Sequence, residues 1–285
     1  TAALHSSFRS PLPLIALTSS SIPSIWSNCS DIRYSMLPAN HRGISPTALI
    51  TVSPSLSALH IHNDCALRPA LALFNCRSLT NKATVLSTLL TEKDLDFLLL
   101  TETWQIPNDY FHLNLLTPSG YSYLAKPRLT SRGGGLAAVY RSNIPVKTID
   151  FHATSTFEYL VLKISGTFPM IAILLYRPPK SMSNFFTELH ELLTLTCAMS
   201  SSVILFGDFN IHVNKDCADS RELMSVFECL NLVQHIHFPT HLKGHTLDLI
   251  CTPGLCNVSV YGSQIGLSDH LLIKLNCEMP LPRLR

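Results

Sequence analysis

The chain has 285 residues, of which 46% are hydrophobic and only 14% charged, ample for a large core and sparse for an exposed surface. A formal net charge of +2 neither requires nor excludes a nucleic-acid partner, since a basic groove can sit on a near-neutral whole. No apolar run approaches the roughly 18 residues that a membrane-spanning helix needs, so no membrane segment is expected. The nine cysteines form no Cys-x-x-Cys pair and no Cys/His group at zinc spacing. They read as reduced thiols of an intracellular protein, nuclear or cytoplasmic, and not a secreted one. The chain begins at Thr1 without a methionine, as a fragment or a conceptual translation would.

Residues 1–69 are rich in Ser, Pro, Thr and His, and stretches such as Arg9-Ser10-Pro11-Leu12-Pro13 can propagate neither a helix nor a central strand. A disordered leader is expected there, and residues 280–285 form a short tail. From residue 71 the texture changes. Residues 71–74 read as a strand ending at Asn75, 79–90 as a helix by the spacing of its leucines, and 97–100 as a second strand ending in Thr101-Glu102-Thr103-Trp104. Arg132-Gly133-Gly134-Gly135 then leads into a strand at 136–140. The triple glycine precedes a strand and lacks a Gly-Lys-Ser/Thr ending, so it reads as a turn and not as a phosphate loop. Further strands are expected at 159–164 and 170–175, the latter ending in Tyr176-Arg177-Pro178-Pro179, and an amphipathic helix at 184–199.

The centre of the pattern is the run 203–206, without polar alternation, which enters Gly207-Asp208-Phe209-Asn210. Such a run suits a strand covered on both faces. Gly207 is expected to let the backbone turn, and Asp208 and Asn210, of equal parity, to point to one side. The same residues would also make an ordinary turn. A helix at 222–230, an extended piece at 233–238, a strand at 244–250 with Thr246 and Asp248 on one side, and strands at 258–261 and 271–275 complete one α/β domain over residues 70–279. Gly266-Leu267-Ser268-Asp269-His270 lies just before the last strand.

Asn75, Glu102, Tyr176, Asp208, Asn210, Asp248, Asp269 and His270 nearly all sit where an apolar run meets a loop, which points to a common site. Glu102, with Asn75 and Asp269, offers hard oxygen donors suited to Mg²⁺ or Mn²⁺. Asp208 is a candidate base for a water, Asn210 and the Tyr176 hydroxyl are candidate phosphate donors, and an Asp248-held His270 would present an imidazolium to a phosphate. Each also has an ordinary reading: Asn75 as a cap, Glu102 as a surface acid, Tyr176 as a packing aromatic, Asp248 as a surface acid, Ser268-Asp269-His270 as a helix cap. His235, His237 and His241 show no ligand spacing.

The ordered blocks Asn75-Cys-Arg-Ser-Leu, Leu100-Thr-Glu102-Thr-Trp, Gly133-Gly-Gly, Tyr176-Arg-Pro-Pro, Gly207-Asp208-Phe-Asn210, Thr246-Leu-Asp248 and Ser268-Asp269-His270 resemble the endonuclease/exonuclease/phosphatase superfamily. More narrowly, they resemble the apurinic-type endonuclease domain of non-LTR (LINE-like) retrotransposons. The resemblance implies a four-layer α/β sandwich, two packed mixed β-sheets flanked by helices. It implies that Glu102 and Asn75 bind the metal with Asp269 near it. Tyr176 and Asn210 would contact the phosphate, Asp208 would activate the water, and Asp248-His270 would complete the catalytic set. Arg177, Thr246 and Ser268, inside the same blocks, are expected as further phosphate or DNA contacts. The implied reaction nicks double-stranded DNA to leave a 3′-hydroxyl and a 5′-phosphate, and a reverse transcriptase domain is expected downstream in a full element. An abasic-site repair nuclease, a phosphatase of the same fold, or an inactive DNA- or protein-binding remnant is the alternative.

Overall fold

Two βαβ units, one in each of two sheets, set the frame. In the first, β1 (Ala70–Asn75) runs through α1 (Ala83–Glu92) into a parallel β2 (Phe97–Thr101). In the second, β7 (Met170–Tyr176) runs through α3 (Phe185–Met199) into a parallel β8 (Val203–Asp208). The structure is a computed structural model that describes residues 68–129, 133–180, 183–253 and 257–278. The expected leader, up to residue 67, and the expected tail lie outside the described residues.

Antiparallel strands extend each unit. β3 (Tyr121–Lys126), β4 (Leu136–Arg141), β11 (Val258–Ser263) and β12 (Leu272–Cys277) join the first, giving the order β11-β12-β1-β2-β4-β3. β5 (Val146–Ile149), β6 (Glu158–Ile164), β9 (Leu232–Gln234) and β10 (Asp248–Pro253) join the second, giving β5-β6-β7-β8-β10-β9. Two mixed six-stranded sheets result, flanked by α1 and α2 (Phe111–Leu116) on one side and α3 and α4 (Ala218–Cys229) on the other. This is the expected α/β sandwich.

Strand alternation divides the core. Leu71 and Leu73 of β1, Phe97 and Leu99 of β2, and Leu136 and Ala138 of β4 join the cluster shared with the second sheet. The residues between them, Ala72, Phe74, Leu98, Leu100, Ala137 and Val139, instead pack with Leu86, Leu89 and Leu90 of α1 and Leu113 and Leu116 of α2. Burial of each such Leu or Phe contributes about 1.5–3 kcal/mol. The parity has a consequence: Asn75, in step with Leu71 and Leu73, faces the other sheet.

Several elements differ from the sequence reading. The strand expected at 244–250 begins only at Asp248, because residues 241–245 close on themselves through a His241–His245 bridge. α1 starts at Ala83 and α4 at Ala218, and α2, β3 and β5 had no counterpart in the reading. Gly207 does not turn the chain. It lies inside β8, where an added Cβ would sit 2.6 Å from the Leu175 carbonyl oxygen of β7. Close approach of two parallel strands is what requires the glycine. Gly207→Ala is therefore expected to destabilise the fold by about 1–3 kcal/mol, as overpacking does. Urea unfolding followed by circular dichroism checks it; an unchanged midpoint would contradict it.

Candidate active site

Strand register gathers the polar ends. Asn75 pairs with Thr101, placing Glu102 one residue beyond, and Tyr176 pairs with Asp208. Asp208 also pairs with Asp248 across the antiparallel β8–β10 ladder. The carboxyl ends of parallel strands are where α/β sheets leave room for ligands, and here two such mouths face each other.

Asn75 joins them. Its Nδ2 donates to Glu102 Oε1 at 2.9 Å, from its own sheet, and to Asp208 Oδ2 at 2.8 Å, from the other. Its Oδ1 accepts the Arg77 N–H at 3.0 Å, so the amide nitrogen must face the two acids. Glu102 Oε2 accepts the indole N–H of Trp104 at 3.1 Å, and the Glu102 charge reaches the Tyr176 hydroxyl.

At the end of β8, Asp208 is fully buried and accepts the Asn210 N–H on Oδ1 at 3.0 Å. Asn210 has φ +48°, so it converges on Asp208 through a left-handed turn and not through strand parity. Its Nδ2 donates to the Arg177 carbonyl at 2.7 Å. Arg177 itself is 3% exposed; its guanidinium lies over the Phe185 ring and reaches the Phe209 and Asn210 carbonyls at 3.4 Å. The contact with phosphate or DNA expected of Arg177 is thus replaced by a structural one, because the side chain is enclosed where it braces the turn after β8.

The loop before β12 brings the remaining groups. His270 Nδ1 lies 2.7 Å from Asp248 Oδ2, and since a carboxylate only accepts, that nitrogen carries a proton. Ser268 Oγ donates to the Asn75 carbonyl at 2.7 Å and accepts the His270 N–H at 3.1 Å, fastening the loop to β1. Asp269 Oδ2 receives Arg77 at 2.6 Å and His241 Nε2 at 3.2 Å. The Thr246 hydroxyl, expected toward the phosphate, is buried and donates to the Phe238 carbonyl at 2.9 Å. Ser268 and Thr246 serve the loop, while Asn75, Glu102, Tyr176, Asp208, Asn210, Asp248, Asp269 and His270 form the cluster.

Charge in this cluster is unbalanced. Glu102, Asp208, Asp248 and Asp269 are opposed by Arg77 and His270. Burial pushes the Asp208 carboxyl up and the Asp248 charge adds to it, against His270, the Asn210 N–H and Asn75, leaving it at about 8. Burial opposes charge on His270, but Asp248, Asp208 and Asp269 outweigh it and raise the imidazole to about 9. Burial, with Glu102 and Asp208, pushes Tyr176 up, so its hydroxyl stays a donor. Asp248 Oδ1 and Asp269 Oδ1 are buried without a hydrogen-bond partner. Asp208, Asp248 and His270 offer ligand atoms within 4.8 Å of one another, as do His241, Asp269 and His270. Clustered carboxyl groups and the orphaned oxygens of Asp248 and Asp269 fit a hard divalent cation.

The Endonuclease/Exonuclease/phosphatase family model matches residues 72–270, which span every one of these residues. The chain belongs to the endonuclease/exonuclease/phosphatase family. Solved members share its fold. The endonuclease domain of TRAS1, a telomere-specific non-LTR retrotransposon, aligns at TM-score 0.59 and 15% identity, covering 75% of this chain and 99% of that one. The AP endonuclease LMAP from Leishmania major gives 0.60 and 14%, over 75% and 88%. The 3′-5′ exonuclease NExo from Neisseria meningitidis gives 0.58 and 18%, over 72% and 98%. No curated protein sequence matches the chain. The family's fold is that of phosphodiester hydrolases, and no helix among the described residues is long and apolar enough to cross a membrane.

Arg77, Trp104 and His241 are contacts that residue-by-residue reasoning passed over. Arg77 and Trp104 lie inside the matching blocks, where a donor next to an acid was a usable signal. His241 carried none, since only the isolated β-bridge from its loop to His270 brings it near Asp269. The His270 ring is expected to hold its proton at neutral pH and to lose it near pH 9. Asp248→Asn removes the first of the carboxylate effects that oppose burial, and should lower that midpoint toward the ordinary 6.5. Nitrogen-15 chemical shifts of the ring against pH measure this, and an unaltered midpoint in the variant would contradict it.

Proposed function

We propose that the chain is a divalent-metal-dependent endonuclease that nicks double-stranded DNA, of the non-LTR retrotransposon type. The observation that carries this reading is the single cluster in which Asn75 joins Glu102 to Asp208, with the Asp248–His270 pair beside them. Glu102, with Asp269, would hold Mg²⁺ or Mn²⁺, which when bound supplies positive charge to a phosphate oxygen; Asn75, expected as a ligand, instead turns its amide nitrogen to the acids and holds Glu102 and Asp208 in place. Asp208 then takes a proton from the attacking water. Burial raises its affinity for a proton, and Asn210 keeps its carboxylate in place. The Tyr176 hydroxyl and the Nε2–H of His270 donate to oxygens on which charge builds, and Asp248 keeps His270 charged and oriented. Water attacks phosphorus and the P–O3′ bond breaks, leaving a 3′-hydroxyl and a 5′-phosphate.

A nucleic-acid substrate is supported by the surroundings. A groove of about 730 Å³ beside Tyr176 is lined by Lys126 and Lys180 and by an Arg128–Glu158 ion pair, whose guanidinium lies 5.5 Å from the Tyr176 ring centre. Cations along such a groove suit a phosphate backbone. The nicking form is supported by the Glu102-Thr-Trp and Ser268-Asp-His blocks, while the TRAS1 endonuclease domain and a Neisseria 3′ phosphatase share the fold alike.

Relaxation of supercoiled plasmid tests the proposal. Conversion to open circles is expected with Mg²⁺ and not with EDTA, and Asp208→Ala or His270→Ala should each slow it by about 10²–10⁴-fold. Equal cutting by wild type and both variants would overturn the assignment. Faster hydrolysis of abasic DNA or of a phosphomonoester would move the substrate to those classes.

A further inference from the structure

Trp104 stands out because packing does not account for it. The indole is 37% exposed and belongs to neither hydrophobic cluster, yet the backbone beneath it is held in an unfavourable conformation. Trp104 and Glu102 both have φ +52°, in the left-handed region that a non-glycine residue rarely adopts. Two such residues two positions apart persist only where neighbours impose them.

Those neighbours are on both sides of the turn. The Ser78 and Leu79 N–H groups donate to the Glu102 and Thr103 carbonyls at 2.7 and 3.1 Å. From the other side, the Thr103 and Trp104 N–H groups donate to the Gly135 and Gly134 carbonyls at 3.1 and 2.8 Å. The triple glycine is the mould. All three glycines have positive φ, and a Cβ on Gly135 would lie 2.7 Å from Thr103 Oγ1. A Cβ on Gly133 would lie 3.8 Å from the indole nitrogen. What the turn achieves is one contact: Trp104 Nε1–H against Glu102 Oε2 at 3.1 Å, while Asn75 holds Oε1.

We infer that Trp104 is a positioning residue for the cation-binding carboxylate of Glu102, held in place by the turn at residues 133–135. Both oxygens of Glu102 have a donor, and each keeps a second lone pair for a cation. The carboxylate is thereby fixed in one orientation before a cation arrives. The inference rests on the proposed role of Glu102 as a metal ligand and adds a residue to it. Partners that orient a ligand in this way change metal affinity by about 10–100-fold when removed.

The test uses the full chain and Mg²⁺ binding followed by calorimetry. Trp104→Phe keeps an aromatic ring and removes the donor. Its Mg²⁺ affinity is expected to fall at least tenfold with an unchanged melting temperature, and plasmid nicking should recover as Mg²⁺ is raised. A second arm leaves Trp104 intact. The chain has two tryptophans, so Trp26→Phe makes Trp104 the sole indole emitter. Its emission should change saturably with Mg²⁺ at the concentration found by calorimetry, and Glu102→Gln should abolish the change. Wild-type affinity in Trp104→Phe, or Trp104 emission indifferent to Mg²⁺ that demonstrably binds, would overturn the inference alone. If wild type and Glu102→Gln bind Mg²⁺ equally, Glu102 is not the ligand, and the proposed site falls with it.

Discussion

One carboxamide reaches acids from both halves of this molecule. Asn75 emerges from the first sheet on the face that its parity with Leu71 and Leu73 dictates, and its Nδ2 reaches acids from both sheets. An amide can do this where few groups can. It supplies two donors without adding charge, its oxygen is occupied by the Arg77 N–H, and it leaves the site's negative charge uncompensated for a cation. An aspartate there would place a third carboxylate against two others; a leucine would bury both acids without their donor. Ser268, which binds the Asn75 carbonyl, hangs the His270 loop on the same residue. The sandwich and the site thus share one hinge point.

Around that point the backbone is strained where function would need it. Glu102, Trp104 and Asn210 adopt left-handed conformations, and each adjoins or belongs to the acid cluster. Their neighbours hold them: the glycine turn for Trp104, the Arg177 carbonyl and Asp208 for Asn210. Arg177 is then best understood as a buried brace whose charge, set over Phe185, supports the turn after β8. Burial also gives the titrating groups their character. The enclosure that raises Asp208 keeps Asp248 close enough to hold a proton on His270, so one acid is made basic and one imidazole made cationic by the same surroundings.

The sequence made the interior strands legible and the edges obscure. β1, β2, β7 and β8 are buried on both faces, and their unbroken apolar runs end at the residues that matter. β3 is half-exposed along most of its length and β5 has an exposed middle, so neither shows a run, and the six-residue α2 is too short for a period. The cluster of acids, amide and imidazole could be listed because each lies at or next to the end of a strand. The jobs of Arg177 and Thr246 could not, since burial and a partner carbonyl decide them, and neither is local in sequence. Gly207 and Asn210 exchanged parts: the glycine serves strand approach and the asparagine makes the turn. His241 illustrates the limit, as it meets Asp269 only through pairing of distant loops.

In the proposed site Glu102 is presented to a divalent cation while Asn75 links acids of the two sheets. Crystals of the protein grown with Mn²⁺ and measured by anomalous scattering test it most directly. A manganese peak is expected on the Glu102 carboxylate, with the Asn75 bonds to Glu102 and Asp208 intact. A peak at His241, Asp269 and His270 with none at Glu102, or manganese only on exposed surface acids, would contradict it.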